Sequence, residues 1–127
     1  METDIMDILV VDDEPYIQRS LSFVLRKEGF QVEVASNGEE GLKKAKELKP
    51  KIIFLDVMMP KLNGFNTCRA IKSDNDLKDS YVILLTAKGQ ELDKERAIKE
   101  GANEFMSKPF SPKEIVTKIR TILGVPK

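Results

Sequence analysis

Three short apolar runs in this chain each end on a residue foreign to a hydrophobic core. Ile8-Leu9-Val10-Val11 stops at Asp12-Asp13, Ile52-Ile53-Phe54-Leu55 stops at Asp56, and Tyr81-Val82-Ile83-Leu84-Leu85 stops at Thr86. Runs this short and rich in β-branched side chains read as strands buried on both faces, not as helices. Between them apolar residues recur at helical spacing, as in Ile17, Leu21, Val24 and Leu25, or Leu42, Ala45 and Leu48. Strands and helices in alternation imply a parallel sheet covered on both sides. Right-handed crossovers then bring every strand's C-terminal end to one edge, where open sheets of this kind bind their ligands.

The punctuation completes the pattern. Pro15 suits the first turn of a helix with Asp13 or Glu14 near its cap, and Gly29 suits its end. Phe30 to Ala35 reads as a strand closed by Asn37-Gly38, and the helix that follows stops before Pro50. Met58 to Asn63 reads as loop, with a helix over Phe65 to Ile71 after Gly64, and Ser73 to Ser80 as polar loop. Leu92, Ala97 and Ile98 mark a weaker helix closed by Gly101, and Asn103 to Met106 a last strand leading to Lys108. Ser111-Pro112-Lys113-Glu114 combines a serine cap, a first-turn proline and a glutamate three residues after the cap. Ile115, Ile119 and Ile122 continue that helix to Gly124 and Pro126. The expected fold is an α/β doubly wound sheet of five parallel strands with five helices. It forms one domain over 1–127, with a core from about residue 6 to about residue 124.

Composition removes several kinds of chemistry. The absence of histidine takes away the commonest metal ligand and neutral-pH proton shuttle, and a single cysteine excludes a disulfide or thiolate cluster. Lys+Arg and Asp+Glu both number 21, a balance that argues against direct nucleic-acid binding. That balance averages two unlike halves. Residues 1–60 hold 12 acids and 8 bases, and residues 61–127 hold 9 acids and 13 bases. The start Met1-Glu2-Thr3-Asp4 is acidic rather than signal-like, and no apolar run is long enough for a bilayer, so the cytoplasm is the expected compartment and no membrane partner is expected.

At the sheet edge the strand ends supply Asp12, Asp13, Asp56, Thr86 and Lys108. Clustered carboxylates without histidine or cysteine suit Mg²⁺, a hard cation that keeps several waters and leaves room for a phosphoryl oxygen. A lysine beside them neutralises a second such oxygen and a threonine hydroxyl donates to a third. An aspartate so placed is a nucleophile towards phosphorus, and Asp56, apart from the Asp12-Asp13 pair, is the best candidate.

These residues carry a resemblance. Val10-Val11-Asp12-Asp13-Glu14, Leu55-Asp56-Val57-Met58-Met59-Pro60 with Gly64 following, Leu85-Thr86-Ala87 and Lys108-Pro109-Phe110 resemble the receiver domain of bacterial two-component response regulators, over roughly residues 6–124. The resemblance implies a flavodoxin-like (βα)5 fold with strand order 2-1-3-4-5. It implies that Asp56 takes a phosphoryl group from a phosphohistidine of a sensor histidine kinase or phosphotransfer protein. It assigns Asp12, Asp13, Asp56 and the Met58 backbone carbonyl to Mg²⁺, with Mn²⁺ as a substitute, and Lys108 to the phosphate. A cis peptide between Lys108 and Pro109 and a coupled inward move of Thr86 and Phe105 follow from the same pattern. Met58 and Lys88 sit where the family controls water access to the acyl phosphate. Kinase docking falls on the first helix, with Gln18 and Ser22 facing outward and Ile17 and Leu21 mostly core. Output or homodimer contacts fall on the face of the fourth helix, fifth strand and fifth helix, where Lys88, Lys94, Arg96, Lys118 and Arg120 lie among Glu91, Asp93 and Glu95.

Each residue also has a plainer reading. Acids before a helix often serve only as caps, Asn63-Gly64 is first a turn, and a solvated helix face explains the surface charges about as well. Cys68 and Met58-Met59 read as packing. An aspartyl phosphatase of the haloacid-dehalogenase type is the enzymatic rival, but it needs an acid where Met58 stands. A docking module on the same fold that needs no phosphate is the other rival. The end Val125-Pro126-Lys127 suits either a stand-alone regulator or the start of a linker to an output domain.

Overall fold

The computed structural model describes residues 6–58, 63–87, 92–108 and 110–124. Its strands are β1 (Ile8–Val11), β2 (Val32–Ala35), β3 (Ile52–Asp56), β4 (Tyr81–Ala87) and β5 (Glu104–Lys108). Its helices are α1 (Pro15–Lys27), α2 (Gly38–Leu48), α3 (Gly64–Lys72), α4 (Leu92–Lys99) and α5 (Pro112–Leu123). All strand pairs are parallel, in the order β2-β1-β3-β4-β5, as expected. The sheet register sets Val11 beside Ala35 and Leu55, Asp56 beside Leu85, and Ala87 beside Lys108.

Alternation along each strand divides the core into two layers. Leu9, Val11, Ile53, Leu55, Val82 and Leu84 face α2, α3 and α4, where Ala45, Phe65, Cys68, Ile71 and Ala97 meet them. Ile8, Val10, Ile52, Phe54, Ile83 and Leu85 face α1 and α5, where Leu21, Leu25, Ile115 and Ile119 meet them. The central strands are thus buried on both sides, which is why they read as continuous apolar runs. Accessible surface is 7298 Å², near the roughly 6,800 Å² expected for a folded chain of this mass.

Local chemistry fixes the helix ends. Asn37 and Ser111 accept hydrogen bonds from the amides of Glu40 and Glu114, each cap worth about 1 kcal/mol. Gly29 and Gly124 take positive φ of 96° and 70° where α1 and α5 stop.

Several boundaries and side chains differ from the expectation. Phe30 precedes β2 and packs against the α1/α5 core layer instead of pairing in the sheet. Strand β5 starts one residue later and ends two residues later, at Lys108, because the ladder with β4 continues to Ala87. The polar stretch from Ser73 to Ser80 carries a fully buried Leu77, whose burial contributes about 2 kcal/mol. Ile98 is 65% exposed and does not belong to the core. Helix α4 is held instead by Ala97 and by Glu100, whose buried carboxylate accepts two 2.7 Å bonds from Arg69 on α3. No helix among the described residues is long and apolar enough to cross a membrane.

Candidate functional site

Asp12 follows β1, Asp56 ends β3 and Lys108 ends β5, so the parallel sheet delivers all three to one edge. One oxygen from each of Asp12, Asp13 and Asp56 lies within 4.8 Å of the others. Asp12 is fully buried and Asp56 is 6% exposed, while Asp13 stands at the surface. The Lys108 ammonium joins the cluster, donating to Asp12 Oδ2 at 2.9 Å and to Glu14 Oε1 at 3.2 Å, and standing 3.4 Å from Asp56 Oδ1.

One ammonium among four carboxylates leaves about three negative charges uncompensated if all are ionised, and the titration of the buried pair reflects that surplus. Burial, reinforced by the neighbouring Asp12 charge, pushes the Asp56 carboxyl up to about 6, although Lys108 and the Met58 amide favour its ionised form. Burial likewise raises Asp12 against the opposing pull of the Glu14 amide and Lys108. For Lys108, burial lowers the value, but Asp12, Asp56 and Glu14 together outweigh it and the net shift is upward. The donor set is all oxygen, the size of the gap suits one small cation, and the surplus charge asks for a divalent one. The trio therefore fits Mg²⁺.

Backbone packing holds Asp56 in place. Its neighbour Val57 donates to the Leu85 carbonyl at 2.9 Å, and the Gly64 amide donates to the Val57 carbonyl at 3.1 Å. A Cβ on Gly64 would lie 2.3 Å from the Asp56 carbonyl oxygen and 2.8 Å from the Val57 Cα. Read as a turn signal in the sequence, this glycine is required because α3 starts against the backbone of Asp56 itself. Gly64→Ala is expected to destabilise the domain by about 2 kcal/mol or more, since rigid backbone on both sides cannot give way. Urea unfolding would show it as a lower midpoint at unchanged slope.

Thr86 is 1% exposed and lies level with Ser107 in the β4–β5 ladder. Phe105, beside Leu84, is half-buried and packs on the core layer beneath α3 and α4. Alternation puts Thr86 and Phe105 towards the same layer. Met58 follows Asp56 with an exposed side chain, and its amide bonds the Asp56 carboxylate. Met59, Pro60, Lys88, Glu91 and Pro109 lie outside the described residues, and so does the expected Lys108–Pro109 cis bond. The side chains of Asp93 and Lys94 lie outside them as well.

The outward placement of Gln18 and Ser22 is corrected. Ser22 is 6% exposed and donates to the Gln18 carbonyl at 2.6 Å. The half-buried Gln18 amide donates to the Asp12 carbonyl at 2.5 Å and to Ser36 Oγ at 3.1 Å, tying α1 to the ends of β1 and β2. Both positions flank the buried Leu21 and Leu25, so the 3.6-residue period carries them inward. Ile17, expected as mostly core, is half-buried. The outer stripe of α1 is Tyr16, Ser20, Phe23 and Lys27, with Tyr16 72% and Phe23 68% exposed. Several charges on the α4–β5–α5 face are engaged within the chain: Lys118 with Glu104, Arg120 with Glu28, and Arg96 with Glu100 and over the Phe65 ring.

A five-stranded doubly wound sheet with three clustered aspartates and a lysine at its C-terminal edge defines a class of signalling domain. The profile of the response regulator receiver domain matches residues 8–120, and the chain belongs to that family. It is 44% identical to the alkaline phosphatase synthesis transcriptional regulatory protein PhoP of Bacillus subtilis over 116 residues, 91% of this chain and 48% of that protein. It thus spans about half the length of the curated relatives it matches. A response regulator of Chloroflexus aurantiacus superposes with a TM-score of 0.88 at 32% identity, covering 94% of this chain and 98% of the other. The receiver domain of a Pseudomonas aeruginosa sensor histidine kinase, with magnesium coordinated in its active-site cleft, superposes with a TM-score of 0.86 at 27% identity. That match covers 94% and 98% of the two chains. Receiver domains catalyse only their own phosphotransfer and dephosphorylation, so the family sets aside the hydrolase of external substrates.

Proposed function

We propose that Asp56 is the phospho-acceptor of this domain, charged by a phosphohistidine of a sensor histidine kinase or phosphotransfer protein in a Mg²⁺-dependent reaction. The observation that carries this reading is Lys108 held against both Asp12 and Asp56 in a carboxylate cluster with surplus negative charge. Asp12, Asp13, Asp56 and the Met58 carbonyl would hold the ion, which supplies charge neutralisation to the transferring group. The magnesium in the Pseudomonas relative supports the same assignment here.

The chemistry assigned to the chain is short. An Asp56 oxygen attacks phosphorus, the P–N bond to imidazole breaks, and its electron pair stays on the departing ring nitrogen. Lys108 shifts from carboxylate to phosphoryl oxygen, and the Thr86 hydroxyl donates to another. Water later attacks phosphorus, the acyl P–O bond breaks, and inorganic phosphate leaves. Thr86 moving towards the phosphoryl group opens room for Phe105 to turn inward, which alters the α4–β5–α5 face offered to an output domain or a second copy. Kinase docking is assigned to α1 beside the site, on the stripe of Tyr16, Ser20 and Phe23 rather than on the inward Gln18 and Ser22.

Incubation with acetyl phosphate and Mg²⁺ followed by intact mass measurement tests the proposal. One phosphate per chain is expected, not formed when the metal is chelated before the donor is added and absent in Asp56→Asn. Inorganic phosphate released without an adduct, or an adduct persisting in Asp56→Asn, would contradict it.

A further inference from the structure

Glu14 has no part in the chemistry above, yet it touches the residue on which that chemistry depends. As the N-cap residue of α1 it makes no side-chain cap bond. Its carboxylate leaves the helix end and accepts from Lys108 Nζ at 3.2 Å, while remaining 59% exposed at the mouth of the site. The 3.2 and 3.4 Å contacts through Lys108 bound the distance from Glu14 Oε1 to Asp56 Oδ1 at 6.6 Å. A phosphodonor approaching Asp56 must therefore pass beside this charge, and must take Lys108 away from it.

We infer that Glu14 is a positioning residue that holds Lys108 at the rim and selects among phosphodonors by their charge. The inference rests on the phospho-acceptor reading of Asp56. A small anionic donor meets repulsion from Glu14, whose counter-charge Lys108 is shared with Asp12 and Asp56, whereas a phosphohistidine arrives on a protein surface that can bring its own counter-charge. The repulsion scales with donor charge. For a donor charge at 6.6 Å, the greatest separation these contacts allow between Glu14 and the Asp56 oxygen, in a water-like dielectric and low salt, one unit charge costs about threefold in rate, and two cost about ninefold. The same carboxylate attracts Mg²⁺, so its removal acts on metal and donor in opposite directions.

Glu14→Gln keeps an oxygen that can accept from Lys108 and removes only the charge. Its phosphorylation is measured at saturating Mg²⁺ and low ionic strength with acetyl phosphate, a dianion, and phosphoramidate, which carries one net negative charge near neutral pH. The Mg²⁺ affinity of each protein is measured separately by calorimetry. The expected result is a gain of about threefold with phosphoramidate and about its square with acetyl phosphate, both fading at high salt, together with a severalfold weaker Mg²⁺ affinity. Glu14→Ala is expected to show at least the same gain, because it also frees Lys108. Equal effects on both donors, no effect, or a loss of rate alongside weaker metal binding would overturn the inference. A wild-type protein that takes phosphate from neither donor would instead overturn the phospho-acceptor reading, and this inference with it.

Discussion

Asp56→Asn is expected to fold more stably than the wild type in metal-free solution above pH 7, by about 2–3 kcal/mol, or about 8–12 °C in Tm. The sign follows from proton binding. Asp56 titrates near 3.8 in the unfolded chain and at about 6 in the folded one, mainly through burial and then through the Asp12 charge. Between those values the folded state holds the extra proton, so stability falls as pH rises from about 4 to about 6 and stays low above. Asparagine carries no charge to bury, so the advantage of the variant vanishes near pH 4 and grows across that window. Mg²⁺ should shrink it from the other side by stabilising only the wild type's full carboxylate trio. Thermal melts at pH 4 and pH 7.5, with chelator and with Mg²⁺, check all four corners. An Asp56→Asn protein less stable than wild type at pH 7.5 without metal would refute the charge-surplus account of the site.

Lys108→Met should have the opposite effect. Methionine keeps most of the buried stem, which is 17% exposed, but removes the counter-charge from the fully buried Asp12. A cost of about 2–4 kcal/mol is expected at pH 7.5 without metal, at the lower end of broken buried pairs because Asp12 keeps the Glu14 amide bond. The Lys108 contribution is present from neutral pH up to 10.5 and disappears as pH rises through its still higher folded value. Below neutrality the penalty should instead shrink from the carboxylate side, as Asp12 and Asp56 take up protons. Added Mg²⁺ should also reduce it by replacing part of the missing charge. Urea titrations at pH 5 and pH 7.5 with and without the ion measure these differences. A loss independent of both pH and Mg²⁺ would mean that Lys108 acts through packing alone.

The parts of this molecule legible in its sequence are those set by period and punctuation. The buried strands announce themselves because a doubly covered parallel strand has no polar face, and the residues ending them mark the site edge without any knowledge of side-chain geometry. Long-range packing was not legible. Nothing in Asn63-Gly64 shows that α3 starts against the Asp56 backbone, and nothing in a polar loop shows that Leu77 plugs the core. Glu14 reads as a cap because caps are local, whereas its partner Lys108 lies 94 positions away. The inward turn of Gln18 and Ser22 was available in principle. Leu21 and Leu25 define the buried face of α1, and both positions fall beside it. The exposed Tyr16 and Phe23 lie on the opposite side by the same rule.

The central claim is that phosphate goes to one aspartate of three crowded together, and chemical trapping tests it at residue level. Phosphorylated protein is reduced with borohydride, which converts an acyl phosphate to the corresponding alcohol, and peptides are mapped by mass spectrometry. Reduction to homoserine is expected at Asp56 alone, only after incubation with both donor and Mg²⁺. Homoserine at Asp12 or Asp13, or at none of the three in protein shown to carry phosphate, would contradict the account.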